Sequence, residues 1–242
     1  MAKTAAIVLI GNEILSGKIA DTNAGYLCRE LRELGVDVRR VSVIPDEVDT
    51  IAAEVTACAE ACDIVFTSGG VGPTHDDVTM EGVARALGVP VVRHPQLVDV
   101  LHRYYGDRLT ETHLKMAEIP QGAELAGDER LRFPTIVAGN VFILPGVPEI
   151  FREKFQAVRE RFRDTPYQLR NVFVSIGEGT LADYLNTLLR DFPALLLGSY
   201  PELANPEYRV KVTLESRDPA YLESALHALL SYLPAACVVK VT

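Results

Sequence analysis

Residues 5–10 and 63–66 are apolar runs and 36–44 reads as a strand, and each leads into a stretch of helical period. Helices at 24–34, 48–61 and 80–88 fill those stretches. Asp21, Thr22 and Asn23 can cap the first, which stops at Gly35, and Gly88 closes the third. Strand–helix alternation of this kind predicts an α/β fold, an open, mostly parallel sheet with helices on both faces. In such sheets ligands bind beyond the carboxyl ends of the strands. Here the turns Gly11-Asn12-Glu13 and Pro45-Asp46-Glu47, the stretch 67–79, and Pro145-Gly146-Val147-Pro148 after the apolar run 141–144 all occupy that position. Segments far apart in sequence are thereby predicted to meet at one edge of the sheet.

The stretch 67–79 carries the sharpest chemistry. It reads Thr67-Ser68-Gly69-Gly70-Val71-Gly72-Pro73-Thr74-His75-Asp76-Asp77-Val78-Thr79. A glycine-rich turn from strand to helix lets backbone N–H groups approach an anion, and the helix N-terminus adds partial positive charge. Two adjacent acids, Asp76 and Asp77, would repel a phosphate unless a cation lay between them, so the pattern suggests phosphate together with Mg²⁺. Read purely locally, Asp77 and Thr79 could instead cap the helix. The spacing is neither the dinucleotide-binding nor the P-loop pattern, since no Gly-Lys-Ser/Thr follows.

Between Gly88 and Gly139 the alternation lapses. Residues 95–105 and 110–117 read as helices, the second capped by Thr110 and carrying Lys115, which could neutralise a phosphate. Residues 118–140 read as loop and edge structure, a lid or an oligomer contact. A helix at 150–162 follows the Pro-Gly-x-Pro turn, whose glycine permits close backbone approach. Composition shifts at 164–166, dividing the chain into domains 1–165 and 166–242. The second predicts strands at 169–176, 194–200, 208–215 and 237–241 and helices at 180–191 and 219–232. That β-α-β-β-α-β order matches the ferredoxin-like plait, a small α+β domain. Gly177-Glu178-Gly179 and Gly198-Ser199-Tyr200-Pro201 read best as structural turns within it.

Function classes can be excluded on composition. A net charge of −9 argues against nonspecific nucleic-acid binding, which needs a basic face. No apolar stretch reaches membrane-spanning length, and the N-terminal run passes straight into Gly11-Asn12-Glu13 rather than into a signal-peptide pattern. The expectation is a cytoplasmic protein without membrane or nucleic-acid partners. Cys58 and Cys62 lie four apart with no second Cys/His pair nearby, so free thiols are expected rather than a zinc site.

Taken together, Gly11 to Gly17, Asp21-Thr22-Asn23, Pro45-Asp46-Glu47, Gly69 to Thr79 and Leu144 to Glu149 resemble the molybdopterin-binding superfamily of molybdenum cofactor biosynthesis proteins. Within it the chain is most similar to the N-terminal domain of the competence/damage-inducible protein A family, which is related to a domain of eukaryotic FAD synthases. Residues 166–242 look like the small domain that follows in those proteins. One departure is Asn12, where the family has Asp: the acceptor oxygen is kept and the charge lost. No segment resembling the family's C-terminal nicotinamide-nucleotide amidase domain follows, so that activity is not expected.

The resemblance implies a metal-dependent nucleotide pyrophosphatase cleaving the diphosphate of an ADP-containing compound such as ADP-ribose or FAD. The amides of Ser68, Gly69, Gly70, Gly72 and Thr74, with Pro73 shaping the turn, would hold one phosphate. Asp46 and Asp77 match the acids that carry the chemistry in the molybdopterin branch and would hold Mg²⁺, Mn²⁺ or Co²⁺, with K⁺ as a further cation. Asp76 or Glu81 would orient the attacking water or act as base. Asn12 and Glu13 would contact the second phosphate's metal or the ribose, Gly11, Asp21 and Asn23 would belong to the substrate-binding set, and Pro145, Gly146 and Pro148 would wall the base or pterin pocket. Two other readings stay open: molybdopterin binding with adenylyl transfer, and a noncatalytic nucleotide sensor. Relatives imply a homo-oligomer, dimer or trimer.

Overall fold

The computed structural model describes residues 3–127 and 131–242 and divides into two compact units, 1–164 and 165–242. In the first unit the elements run β1 (Thr4–Ile10), α1 (Asn12–Leu15), α2 (Asn23–Glu33), β2 (Asp37–Ile44), α3 (Val48–Ala61), β3 (Ile64–Ser68) and α4 (Thr79–Ala86). They continue through β4 (Val91–Arg93), α5 (Pro95–Tyr105), α6 (Glu111–Leu114), β5 (Glu118–Pro120), β6 (Glu124–Ala126), β7 (Thr135–Ala138), β8 (Val141–Leu144) and α7 (Pro148–Val158). The main sheet has the order β2-β1-β3-β8-β7-β6. β2, β1, β3 and β8 are mutually parallel, while β7 and β6 turn antiparallel at the far edge.

Period-two alternation along β1 explains why the sheet is covered on both sides. Ala5, Ile7 and Leu9 face one core, with Leu27 and Leu31 of α2 and Phe151, Phe155 and Val158 of α7. Ala6, Val8 and Ile10 face a second core, with Ile51 and Val55 of α3, Val83 of α4 and Leu97 and Leu101 of α5. All six of these β1 residues are buried, so β1 reads as a continuous apolar run.

Three local expectations need correction. Residues 12–15, read as part of a turn, form the short helix α1. Residues 118–140, read as loop and edge structure, do supply the sheet edge, through β7 and β6, but more of the stretch is strand than expected, since β5 also pairs with β4 in a separate two-stranded ribbon. Residues 128–130 of that stretch lie outside the described residues. Asp77 and Thr79 do not cap α4 through their side chains; both are bonded within the glycine turn instead.

The second unit comprises β9 (Gln168–Val174), α8 (Glu178–Asp191), β10 (Leu196–Pro201), β11 (Val210–Ser216), α9 (Pro219–Tyr232) and β12 (Val238–Val241). Its sheet has the order β10-β11-β9-β12, every neighbour antiparallel, which is the plait expected from the element order. Leu181 and Leu188 of α8 and Leu222, Ala225 and Leu229 of α9 pack with Val172, Val174, Val210, Val212 and Leu214 into a core of its own. Residues 198–201 lie in β10 rather than in a turn, and the Ser199 hydroxyl donates to Glu178 at the start of α8. All four cysteines are free, with Cys58, Cys62 and Cys237 buried. Among the described residues, no helix is long and apolar enough to cross a membrane.

Candidate functional site

The carboxyl ends of β1, β2, β3 and β8 lie side by side, so the turns that follow them meet at one edge of the sheet. The turn after β3 is built by glycine. Gly69 and Gly70 take φ of +108° and +64°, a region that L side chains rarely enter. A Cβ on Gly69 would strike the Ile10 carbonyl, and one on Gly70 would strike the Thr79 hydroxyl. The turn thus runs flush against the end of β1 and the first residue of α4. Thr79, fully buried, pins it: its hydroxyl donates to the Gly69 carbonyl (2.8 Å) and its N–H to the Gly70 carbonyl (3.0 Å).

This geometry narrows the set of amides available to an anion. The Gly69 N–H donates to the Leu144 carbonyl (3.1 Å), Ser68 lies in the ladder of β3, the Thr74 N–H donates to Asp77 Oδ2 (2.8 Å), and Pro73 has no N–H. These positions shape the turn and do not offer donors, contrary to the sequence expectation. The N–H groups of Gly70, Val71 and Gly72 have no partner among the described residues. Successive free N–H groups at a glycine turn form an anion-binding nest.

The acids surround that nest. Asp77 accepts from the Thr74 hydroxyl as well as its N–H, and its carboxylate lies 2.7 Å from where a Cβ on Gly72 would sit. Asp46 Oδ2 accepts from the Asn12 N–H (2.8 Å), while Oδ1 lies 3.6 Å from a Cβ position on Gly70. Each carboxylate keeps one oxygen free of those bonds. Burial pushes the Asp46 carboxyl above the usual carboxylate range; the Asn12 amide opposes the shift, and the negative fields of Glu13, Asp76 and Asp77 add to it. The Thr74 hydroxyl also lies against Asp76 and, with that residue's own amide, holds its carboxyl low. Glu13 folds back over Gly11, its carboxylate occupying the space a Cβ would need (2.5 Å). Asn12 acts on the acids through its backbone amide.

Asn23 links the remaining turns. It is 3% exposed, and its Nδ2 donates to Ser68 Oγ (3.0 Å) and to the Gly146 carbonyl (2.9 Å). Asp21 caps α2 from outside, accepting from the N–H groups of Asn23 and Ala24 (3.0 Å each). Pro148 opens α7, where a missing N–H costs nothing. A cavity of about 960 Å³ is lined by Glu13, Asp21, Asn23, Ser68, residues 69–72, Asp77, Pro145, Gly146 and Pro148. Its other wall is apolar and aromatic, with Ile14, Ile19, Tyr104, Tyr105, Phe133 and Ile150. Glu81 lies in a small hollow beside Asp77 and Lys115, and the Lys115 ammonium donates to the Thr74 carbonyl (2.7 Å). His75 points into solvent, its side chain 98% exposed.

Sequence reasoning overlooked the aromatic wall and Lys154, a lysine on α7 that also lines the cavity. A signal was present. Phe151, Phe155 and Val158 mark the buried stripe of α7, and Lys154 falls on it.

Comparison with known proteins agrees with this architecture. Residues 6–164 match the family described as "Probable molybdopterin binding domain", and residues 166–242 match "FAD synthase, middle domain". A protein of Archaeoglobus fulgidus is 36% identical over 220 residues, covering 91% of this chain and 93% of its own. A "Probable FAD synthase" of Caenorhabditis elegans is 32% identical over 261 residues; the match takes in 96% of this chain but spans only 50% of that relative. Among solved structures, the protein CinA of unknown function from Thermoplasma acidophilum aligns with a TM-score of 0.62 at 34% identity, covering 67% of this chain and 100% of that one. The chain belongs to the molybdopterin-binding domain family, with a domain of the FAD synthase middle type following it.

Proposed function

We propose that the first unit is a divalent-cation-dependent pyrophosphatase that cleaves the diphosphate of an ADP-containing compound, ADP-ribose or FAD. The observation that carries this reading is the pairing of free N–H groups at Gly70, Val71 and Gly72 with the carboxylates of Asp46 and Asp77 around one turn. Amides alone would suit any anion. Acids beside them make sense when a cation bridges acid and phosphate.

The residues fit such a cation in a specific way. Among the described residues, no group of three or more His, Cys, Asp or Glu is arranged to hold a metal ion. Mg²⁺ and similar ions are held in nucleotide sites by one or two carboxylates together with substrate phosphates and water, and two carboxylates with free oxygens meet that need. A cation held there would neutralise the diphosphate and polarise its phosphorus centre. The amides of residues 70–72 would fix one phosphate, and Lys115 would steady the turn. Water would form the new P–O bond as the anhydride P–O bond breaks, releasing AMP and the second phosphate monoester. Glu81, beside Asp77, would take the water's proton; Asp76, held low by Thr74, is the weaker base. The aromatic wall would receive the remaining half of the substrate.

That wall also favours a second reading, binding of a pterin phosphate with adenylyl transfer, because a flat ring suits Tyr104, Tyr105 and Phe133. AMP release from ADP-ribose and FAD decides between them, measured with Mg²⁺, Mn²⁺ or Co²⁺, with and without K⁺, for the wild type and Asp77→Ala. Cation-dependent AMP release that Asp77→Ala abolishes is the expected result. No turnover of either substrate with any cation overturns the pyrophosphatase and shifts weight to pterin binding or nucleotide sensing. Self-association as a dimer or trimer is part of the same proposal and is read by light scattering.

A further inference from the structure

We propose that Lys154 is a second anion-binding point in the cavity of the first unit, placed to take a phosphate oxygen of the ligand. The proposal rests on the phosphate-ligand reading of that cavity but not on turnover.

Lys154 is 8% exposed, and its Nζ donates to the carbonyls of Phe133 (2.9 Å) and Pro134 (2.6 Å). The Phe133 ring lies 5.1 Å from the ammonium. An ammonium carries three donors, so one remains beyond these two bonds. No carboxylate forms an ion pair with it among the described residues. Buried charges in proteins are ordinarily paired, because carbonyl dipoles replace only part of the lost hydration. Burial accordingly pushes the Lys154 pKa down to about 8, opposed only by Glu153 on the same helix.

The charged groups around the same cavity are Glu153 on α7, Arg132 on the facing segment, and Glu13, Asp21 and Asp77 across the opening. Asp77 serves the nest, Asp21 the cap of α2, Glu13 lies over Gly11, and Glu153 acts on Lys154 only through its field, with no ion pair between them among the described residues. Among the described residues, then, Lys154 has no anionic partner, and a ligand can supply one. An anionic oxygen fits both the spare donor and the unpaired charge. The nest at 70–72 and Lys154 line one continuous cavity, which suits a ligand bearing more than one phosphate oxygen.

The test follows the Lys154 Cε resonance with pH in protein carrying ¹³C-labelled lysine, assigned by its loss in Lys154→Arg. Alone, the resonance should titrate near 8. In saturating inorganic pyrophosphate the midpoint should rise by about one unit or more, since an adjacent anion favours the charged form. Calorimetry should show Lys154→Met weakening pyrophosphate binding about tenfold or more, and Lys154→Arg by no more than about threefold. An unchanged midpoint in pyrophosphate, ADP-ribose and FAD alike overturns the proposal, and so does pyrophosphate affinity in a folded Lys154→Met within about twofold of wild type. If Lys154→Met fails to fold, the labelled wild type decides alone. A shifted midpoint without AMP release leaves the anion site standing and removes the pyrophosphatase; AMP release with an unshifted midpoint does the reverse.

Discussion

Asn23 offers a sharp test of how the site is held together. Its two amide hydrogens bridge Ser68 at the end of β3 and the Gly146 carbonyl after β8. Its Oδ1 is buried and has no partner. Asn23→Ala deletes two hydrogen bonds, a loss of about 2 kcal/mol at roughly 1 each. Asn23→Asp keeps the shape but turns the donor into an acceptor. The Ser68 hydroxyl can rotate to answer it; the Gly146 carbonyl cannot. A carboxylate would then face a carbonyl at a site only 3% exposed. An uncompensated buried charge costs about 3–5 kcal/mol, so the isosteric change should be worse than the truncation by about 1–3 kcal/mol at neutral pH.

The same argument fixes the pH dependence. An aspartate at this position has a folded pKa raised above the unfolded value of about 3.9. A group shifted in that direction contributes stability that is complete below the unfolded pKa and is lost as pH rises through the folded one. The gap between Asn23→Asp and Asn23→Ala should therefore close as pH falls toward about 4. Urea unfolding followed by far-ultraviolet circular dichroism gives the ranking. Hydrogen exchange in residues 23–33 and 141–144 assigns it to the first unit, since the second has its own core. If Asn23→Asp is as stable as Asn23→Ala at neutral pH, or if the gap is unchanged in acid, the bridging role assigned to Asn23 is wrong.

Asp46→Asn should raise the thermal midpoint at neutral pH, because the carboxyl's raised pKa means the fold disfavours its ionised form, and that cost appears as pH rises through the folded pKa. The same variant should lose cation-dependent AMP release about tenfold or more and abolish the acid limb of its pH profile; thermal melts with and without Mg²⁺ and a pH–rate series check both. Gly82→Ala on α4 should destabilise by about 1 kcal/mol, because a Cβ there lies 2.6 Å from Cβ of the fully buried, stiff Ile51, and overpacking of about 1–3 kcal/mol exceeds a helix-propensity gain of about 1. A higher urea midpoint for that variant would show that α3 and α4 can separate freely.

Long periodic segments were legible from sequence because local pattern and tertiary environment agree in them. The helices 48–61, 95–105 and 219–232 are observed with the boundaries expected, and so is the short strand 141–144, which stood out as an unbroken apolar run before a Pro-Gly turn rather than by its length. β4, β5, β6 and β7 were not legible: they are three or four residues long, and pairing rather than pattern defines them. The convergence of four turns was readable because parallel strands force their carboxyl ends to one side. Which amides stay free was not, since that depends on Leu144 and Asp77 reaching back to Gly69 and Thr74. Lys154 escaped notice for a related reason. Its environment comes from residues 133 and 134, some twenty positions upstream.

β8 enters the sheet beside β3 although more than seventy residues separate them, and its turn supplies the carbonyl that Asn23 holds. During synthesis, β1, β2 and β3 can leave the ribosome long before this neighbour exists. The nest would then lack the Leu144 contact that seats Gly69. If the nest binds an anion as proposed, a nascent chain would be unable to hold it until residues 141–148 had emerged and paired, and recognition would be timed to the last strand of the parallel set rather than to the loop that makes the contacts.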